Sequence, residues 1–266
     1  MVIKVKKGVV TLSFDDGRLD NYAVIKKLLL PNKVPATINI ATGYISRELD
    51  KIGGGYSPEP ITVDQLQEIA NSGLIECASH GHLHKNDWED ISTGRKILLE
   101  WLKLNPNTKI GFASPGSGMS PDYIQKNIDE LKNLGFCYIR TGFNLSTHKI
   151  IRNLCRKVAR ITHIPFLFRI AYVDTVQQDT KSGCIYSVPI LGDTSLEEVK
   201  AIVKYAERKK YICSLMFHSI CSEKQKDIDN WCYDIRKFEK LIYWLCQERA
   251  NNRLDIMTTY ETIDLS

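Results

Sequence analysis

No run of about 18 consecutive apolar side chains occurs anywhere in the sequence, which excludes a membrane-spanning helix read from hydropathy. None of the eight cysteines falls in a C-x-x-C pair, so neither a thiolate zinc knuckle nor a dithiol redox motif is indicated. They sit inside apolar segments, where reduced core thiols are expected. Glycine (16) and proline (9) are scarce among 266 residues, and no repeat or low-complexity stretch is present, so fibrous and disordered classes are excluded. The net charge of +5 comes without a basic stripe interleaved with aromatics; the runs Lys4 to Lys7 and Arg208 to Lys210 are short. No nucleic-acid partner is expected. The opening MVIKVKKGVVTLSFDDG mixes charges with apolar residues and lacks the apolar core of a signal peptide, from which a cytoplasmic location is expected.

What is present is an alternation of strands and helices. Val9 to Phe14 is a β-branched apolar run followed by the turn Asp15-Asp16-Gly17, and Leu19 to Leu30 has helical periodicity. Ala36 to Ala41 reads as a strand, Thr62 and Gln65 form a capping box for a helix that Gly73 ends, and Leu74 to Ala78 is the next strand. A helix from Ile91 to Leu104, a strand at Ile110 to Ala113, a helix from Ser120-Pro121 to Leu134 and a strand at Phe136 to Arg140 follow. Between Asn144 and Asp179 the signals are mixed, with a strand expected near Phe168 to Val173. Order returns with a strand at Ile185 to Pro189, a capping box at Thr194 to Glu197, and a helix to Lys209. A strand at Tyr211 to Phe217, a helix from Tyr233 to Glu248 and a strand at Leu254 to Thr258 complete the chain. This order predicts an α/β fold: a barrel-like single domain of seven or so parallel strands with helices outside.

Reactive groups of parallel α/β folds gather where strands end. Three of the six histidines lie within five residues, in Ser79-His80-Gly81-His82-Leu83-His84 after the third strand. His80 and His84, four apart, converge on one ion if the loop turns helically, and a carboxylate from elsewhere would complete a catalytic site with a position left for water. A zinc-like ion brings the pKa of that water towards about 7. His82 points elsewhere. Asp15 and Asp16 repel each other unless a cation lies beside them; one then binds the ion and the other accepts a proton, and a plain surface turn is the alternative. His218 ends the most apolar strand, where it is either a hydrogen-bonded structural residue or a general acid for a leaving nitrogen.

Four segments, in order, resemble the motifs of the polysaccharide deacetylases, the NodB-homology or carbohydrate esterase family 4 proteins: Thr11 to Gly17, Ser79 to His84, Phe112-Ala-Ser-Pro-Gly116 and Leu215-Met-Phe-His218. The resemblance implies that residues 1–266 form one distorted (β/α) barrel. It implies Asp15 as general base, Asp16, His80 and His84 as ligands of one divalent ion (zinc, with cobalt or nickel as alternatives), and His218 as general acid. The Gly116 N–H would complete an oxyanion site, Pro115 would fix that loop, and Met216 would line an acetyl pocket. The implied substrate is an N-acetylated sugar or glycan. An O-acetyl ester, a formamide or a small non-sugar amide remains an alternative. So does a degenerate barrel that binds glycans without cutting them.

Two departures accompany the resemblance. Ala113 stands where the family carries an arginine that braces the base, and Arg140, at the end of the next strand, is the candidate replacement. The segment that orients the acid histidine is missing, with Asp174 and Asp193 as stand-ins. Gly116 replaces a common aromatic, which predicts a more open groove, and Trp231 is a candidate to stack on a sugar ring.

Overall fold

The structure is a computed structural model that describes residues 6–51, 59–142, 149–162, 164–222 and 231–265. Five parallel strands stand side by side in chain order: β1 (Gly8–Phe14), β2 (Ala36–Ile40), β3 (Ile75–Ser79), β4 (Ile110–Ala113) and β5 (Phe136–Gly142). After a two-residue strand β6 (Val176–Gln177), β7 (Cys184–Pro189) extends the row beside β5 and β8 (Ile212–Phe217) closes it. β8 pairs with β1 in parallel from Val9↔Ile212 to Phe14↔Phe217, so seven parallel strands form a closed barrel. β6 lies antiparallel against β8. β9 (Ser219–Cys221) and β10 (Cys232–Asp234) make a small parallel ribbon, and β11 (Leu254–Met257) adds to β1. The expected (β/α) barrel is therefore the observed one.

The helices are α1 (Leu19–Val24), α2 (Thr42–Ile45), α3 (Glu48–Lys51), α4 (Val63–Ala70), α5 (Trp88–Trp101), α6 (Pro121–Lys126), α7 (Ile128–Asn133), α8 (Lys149–Thr162), α9 (Pro165–Ala171), α10 (Leu196–Lys209) and α11 (Ile235–Ala250). Among the described residues none is long and apolar enough to cross a membrane. Their apolar sides meet alternate strand residues, as where Phe14 stacks on Phe217 at 5.6 Å and both meet Phe238 of α11. The Thr62–Gln65 capping box forms as read.

Local differences from the sequence reading have local causes. Leu19 to Leu30 is not one α-helix: α1 widens into a π-turn at Ile25–Leu29, where the Leu30 N–H reaches the Ile25 carbonyl at 3.0 Å. The helix from Pro121 breaks at Asn127 (φ −111°), whose side-chain amide donates to the Tyr123 carbonyl and competes with helix propagation. Ser195, not Thr194, caps α10, because the Thr194 hydroxyl is already accepting from Leu191 N–H. The strand expected at Phe168 to Val173 is instead α9, which Pro165 starts and whose Phe168 and Ala171 bury one face at helical spacing. Residue 144, where that difficult region begins, lies outside the described residues. The expectation of eight free thiols is also corrected: Cys221 and Cys232 form a disulfide, since β9 and β10 bring their Cα atoms to 5.8 Å, while the other six are free.

Side chains facing into the barrel are sorted by height. At the strand starts, Val9 and Ile212 pack with Leu265. Beside them the Glu76 carboxylate accepts from Thr37 (2.8 Å), Tyr138 (2.5 Å) and the Tyr260 N–H (2.8 Å), so the closing turn of the chain plugs this end. Higher up, Asn39 donates to Ser13 (2.8 Å) and to Asp15 (2.7 Å). Polarity thus rises towards the strand ends, where the chemistry lies.

Candidate metal centre and active site

The turn after β1 holds its two carboxylates in different directions. Asp15 continues the strand, its N–H donating to the Phe217 carbonyl at 2.9 Å. Asp16 has φ +78°, a left-handed conformation that costs a non-glycine residue about 1 kcal/mol or more, and Gly17 follows at φ +85°. Cross-strand bonds hold the turn: the Ala41 N–H reaches the Asp16 carbonyl and the Ile61 N–H reaches that of Gly17 at 3.0 Å.

The loop after β3 brings both outer histidines to Asp16. His80 is buried and donates from Nδ1 to the Ala113 carbonyl at 2.7 Å. A neutral imidazole has one N–H, so that bond leaves the Nε2 lone pair pointing at Asp16. Burial lowers the His80 pKa to about 4, overriding the carboxylates of Asp15 and Asp16, so the ring is neutral at pH 7. His84, left-handed at φ +57°, sets its Nε2 at 3.1 Å from that of His80. Asp16 Oδ1 lies 3.7 Å from each of the two nitrogens. His82 turns away as expected, its ring held between Thr42 (2.9 Å) and Glu48 (3.1 Å).

Ligands about 2.0–2.1 Å from one ion stand roughly 2.9–3.4 Å apart in octahedral or tetrahedral arrangements. Asp16, His80 and His84, the one such group of three among the described residues, match that spacing to within a few tenths of an ångström. Two imidazole nitrogens and one carboxylate suit a borderline divalent ion and leave coordination positions open. The residues present fit the metal.

Asp15 stands beside this group without joining it. Both of its oxygens accept from Arg140 Nη2 at 2.7 Å, and Oδ1 also accepts from Asn39. Burial would raise its pKa, but the Arg140 guanidinium, by its charge and its hydrogen bonds, outweighs burial and holds the carboxyl well below the usual range. Arg140 is 1% exposed and is anchored by a 3.0 Å bond to Ser187 on β7. The guanidinium missing at Ala113 thus arrives from the neighbouring strand, since β4 and β5 pair Ala113 with Arg140.

His218 faces Asp15 at 4.0 Å, Nε2 to Oδ2. The ring of Trp231, 42% exposed, lies over it at 4.5 Å. Asp174 and Asp193 are not its orienting groups, because they pair with Arg152 and Arg160. The segment is held through its backbone instead: Asn21 donates to the His218 carbonyl at 2.7 Å, and Asp20 accepts from Ser219 and from the Ile220 N–H. His218 Nδ1 has no partner among the described residues. Pro115 is pinned by Asn86 through its carbonyl (2.9 Å), and Gly116 (φ +56°) is exposed with open space where a side chain would stand. Met216 is buried at the upper end of β8 beside Ser13 and Pro189.

Two supports escape sequence reasoning. Asp90, in the first turn of α5, accepts three backbone N–H groups of the histidine loop, from His82 (3.0 Å), Leu83 (2.6 Å) and Lys85 (3.0 Å). The signal was Asp87, which caps α5 four residues ahead of the expected start and places Asp90 at its third position. Arg18, buried at 2% exposure, meets the outer oxygen of Asp16 at 3.4 Å, and no pattern in the sequence marks it.

The model of the polysaccharide deacetylase family matches residues 3–136. The chain belongs to that family. No curated protein sequence matches. Among solved structures, a family 4 acetyl xylan esterase from Clostridium thermocellum, determined with a cobalt ion, is 13% identical with a TM-score of 0.50, covering 97% of this chain and 91% of that one. At that identity the likeness is one of fold. The Streptococcus pyogenes deacetylase PplD in complex with acetate is 20% identical (TM-score 0.38), and the match covers 48% of this chain and 54% of that one. IcaB from Ammonifex degensii is 24% identical (TM-score 0.38), with 48% and 57% covered. The matched part thus spans little more than half the length of these two structures.

Proposed function

We propose that this polysaccharide deacetylase family member hydrolyses the acetamide of an N-acetylated sugar, with Asp16, His80 and His84 holding one divalent ion. Zinc is the first candidate and cobalt or nickel are alternatives. The observation that carries the reading is the juxtaposition of the three-donor face with Asp15, whose Oδ2 lies 3.9 Å from His80 and 4.0 Å from His218. When bound, the ion supplies a Lewis acid that polarises a carbonyl and makes water nucleophilic near neutral pH.

The residues divide the proton work. Asp15, kept ionised by Arg140, takes a proton from the attacking water. His218, 4.0 Å from the same Asp15 oxygen, gives a proton to the departing nitrogen as the carbon–nitrogen bond breaks, yielding a free amine and acetate. An amide needs that step because an amine anion is a very poor leaving group. In this reading the Gly116 N–H would serve the oxyanion and Met216 would line the acetyl pocket, while Trp231, 42% exposed, would offer its ring to a sugar. Arg140, as the brace of the base, speaks against a degenerate glycan binder as far as the missing arginine goes, while the missing group that orients His218 is not replaced at its Nδ1 among the described residues.

The deciding experiment measures bound metal by elemental mass spectrometry in the wild type and in His80→Ala, and follows acetate release from N-acetyl and O-acetyl sugar oligomers and from small amides. About one ion per chain, lost in the variant, with acetate released from the N-acetyl oligomers, supports the reading. A wild type that takes up no zinc overturns the mechanism, and release from esters alone overturns the substrate.

A further inference from the structure

Helix α8 is built inside out. Its apolar side chains face solvent, with Ile150 85%, Ile151 57%, Leu154 60%, Val158 37% and Ile161 79% exposed, and Phe166 at the start of α9 is 60% exposed. At 100° per residue the five α8 side chains fall within an arc of about 100°, the width a surface helix ordinarily turns to the core. The arginines lie on the other side, against the protein. Arg152 pairs with Asp174, while Arg160 pairs with Asp193 and, at 2.8 Å, with Glu198. Glu198 is fully buried, and it also accepts from Tyr172 at 2.5 Å and has Arg156 at 4.0 Å. These bonds fix the rotation of α8, because turning the apolar arc inward would strand a buried carboxylate without its cations.

The charge of this region says what covers the arc. Residues 149–171 hold six lysines and arginines and no aspartate or glutamate, so the three acidic partners leave an excess of positive charge. Exposed Lys157 borders the apolar arc, between the directions of Ile150 and Arg160. Two copies meeting through this face would set that excess against itself, whereas an anionic lipid surface neutralises it. Fourteen residues of helix, roughly 21 Å long, are too short to span a bilayer and suited to lying in its headgroup layer. Arg160 meets Asp193 in the loop after β7, so the end of α8 reaches the side of the barrel on which Asp15 and His218 stand.

We propose that the α8–α9 face docks on an anionic membrane surface, apolar arc in the headgroup layer, and holds the mouth of the barrel beside the bilayer. The proposal does not depend on the hydrolytic reading, and its test uses no activity assay. The full chain is sedimented with vesicles of phosphatidylcholine alone and of phosphatidylcholine with phosphatidylglycerol. The expected result is binding to the phosphatidylglycerol vesicles, weakened severalfold by Lys157→Glu and at about 0.5 M salt, and about tenfold or more by the double variant Ile150→Ser/Ile161→Ser. Both substitutions change exposed side chains, and an unchanged thermal midpoint confirms an intact fold. No binding to the anionic vesicles, or binding that the double variant leaves unchanged, overturns the proposal. So does a dimer in sedimentation velocity that the double variant dissolves, which gives the face to a second copy.

Discussion

Arg140 on β5 donates from one nitrogen to both carboxylate oxygens of Asp15, each at 2.7 Å, across 125 residues of chain. That contact sets the charge of the proposed base. Arg140→Ala leaves the burial of Asp15 unopposed by its main cation, so its pKa rises and the acid limb of kcat/KM moves to higher pH. A loss of about 10²–10³-fold near neutral pH is expected, with metal content intact and partial rescue by Arg140→Lys. An unshifted pH profile would remove Arg140 from the mechanism.

His218→Asn is expected to lower turnover by about 10²–10⁴-fold. The loss should be greater on N-acetyl than on O-acetyl substrates, because an alkoxide leaves without prior protonation far more readily than an amine anion. Equal losses on both would assign His218 a structural part only.

Asp90→Ala removes the acceptor of three N–H groups in the loop that carries His80 and His84. Zinc affinity, measured by competition with a chromophoric chelator, should fall about 10–100-fold, as is usual when a group supporting metal ligands is lost. Asp90→Asn, which keeps one acceptor oxygen, should fall between. Unaltered affinity in both variants would show that the loop holds its shape unaided.

Replacing Cys221 and Cys232 by serine opens a loop closed over 11 residues, for which a stability loss of about 2–3 kcal/mol is expected in chemical denaturation. Because the bond adjoins Trp231, KM for a sugar oligomer should rise while bound metal stays constant. A KM that does not move would separate Trp231 from substrate binding.

Removal of the ion with a chelator should lower the thermal midpoint, and zinc at a hundredfold excess over its Kd should restore about 2–3 kcal/mol. His80→Ala should show neither response. A wild type indifferent to both treatments would mean that the three donors are held together without an ion.

The strand–helix alternation and the residues at the strand ends were legible because they rest on local signals. Val9 to Phe14, Ile110 to Ala113 and Tyr211 to Phe217 are short apolar runs bounded by turns, and Asp15-Asp16-Gly17 and the histidine loop are contiguous in the chain. Where local signals compete, the reading slipped. Pro165 and the i, i+3 burial of Phe168 and Ala171 outweighed the β-propensity of Phe-Leu-Phe-Arg-Ile. The apolar arc of α8 carried the helical period but gave no sign that its apolar side faces outward, since that depends on where Glu198, Asp174 and Asp193 stand.

The sequence by itself determined the fold class and marked the polar residues at the strand ends, because each is written in a short segment with its own periodicity or spacing; which of Asp15 and Asp16 joins His80 and His84, and the part of His218, it left as alternatives that only the family resemblance assigned. Only the tertiary structure decided which cation meets Asp15, which carboxylate ties down the histidine loop, and which two of the eight cysteines pair. The physical reason is common to all three. Each depends on how elements pack in space: the register of the barrel strands for Arg140 and Asp15, the first turn of α5 against the histidine loop for Asp90, and the pairing of β9 with β10 for the two cysteines.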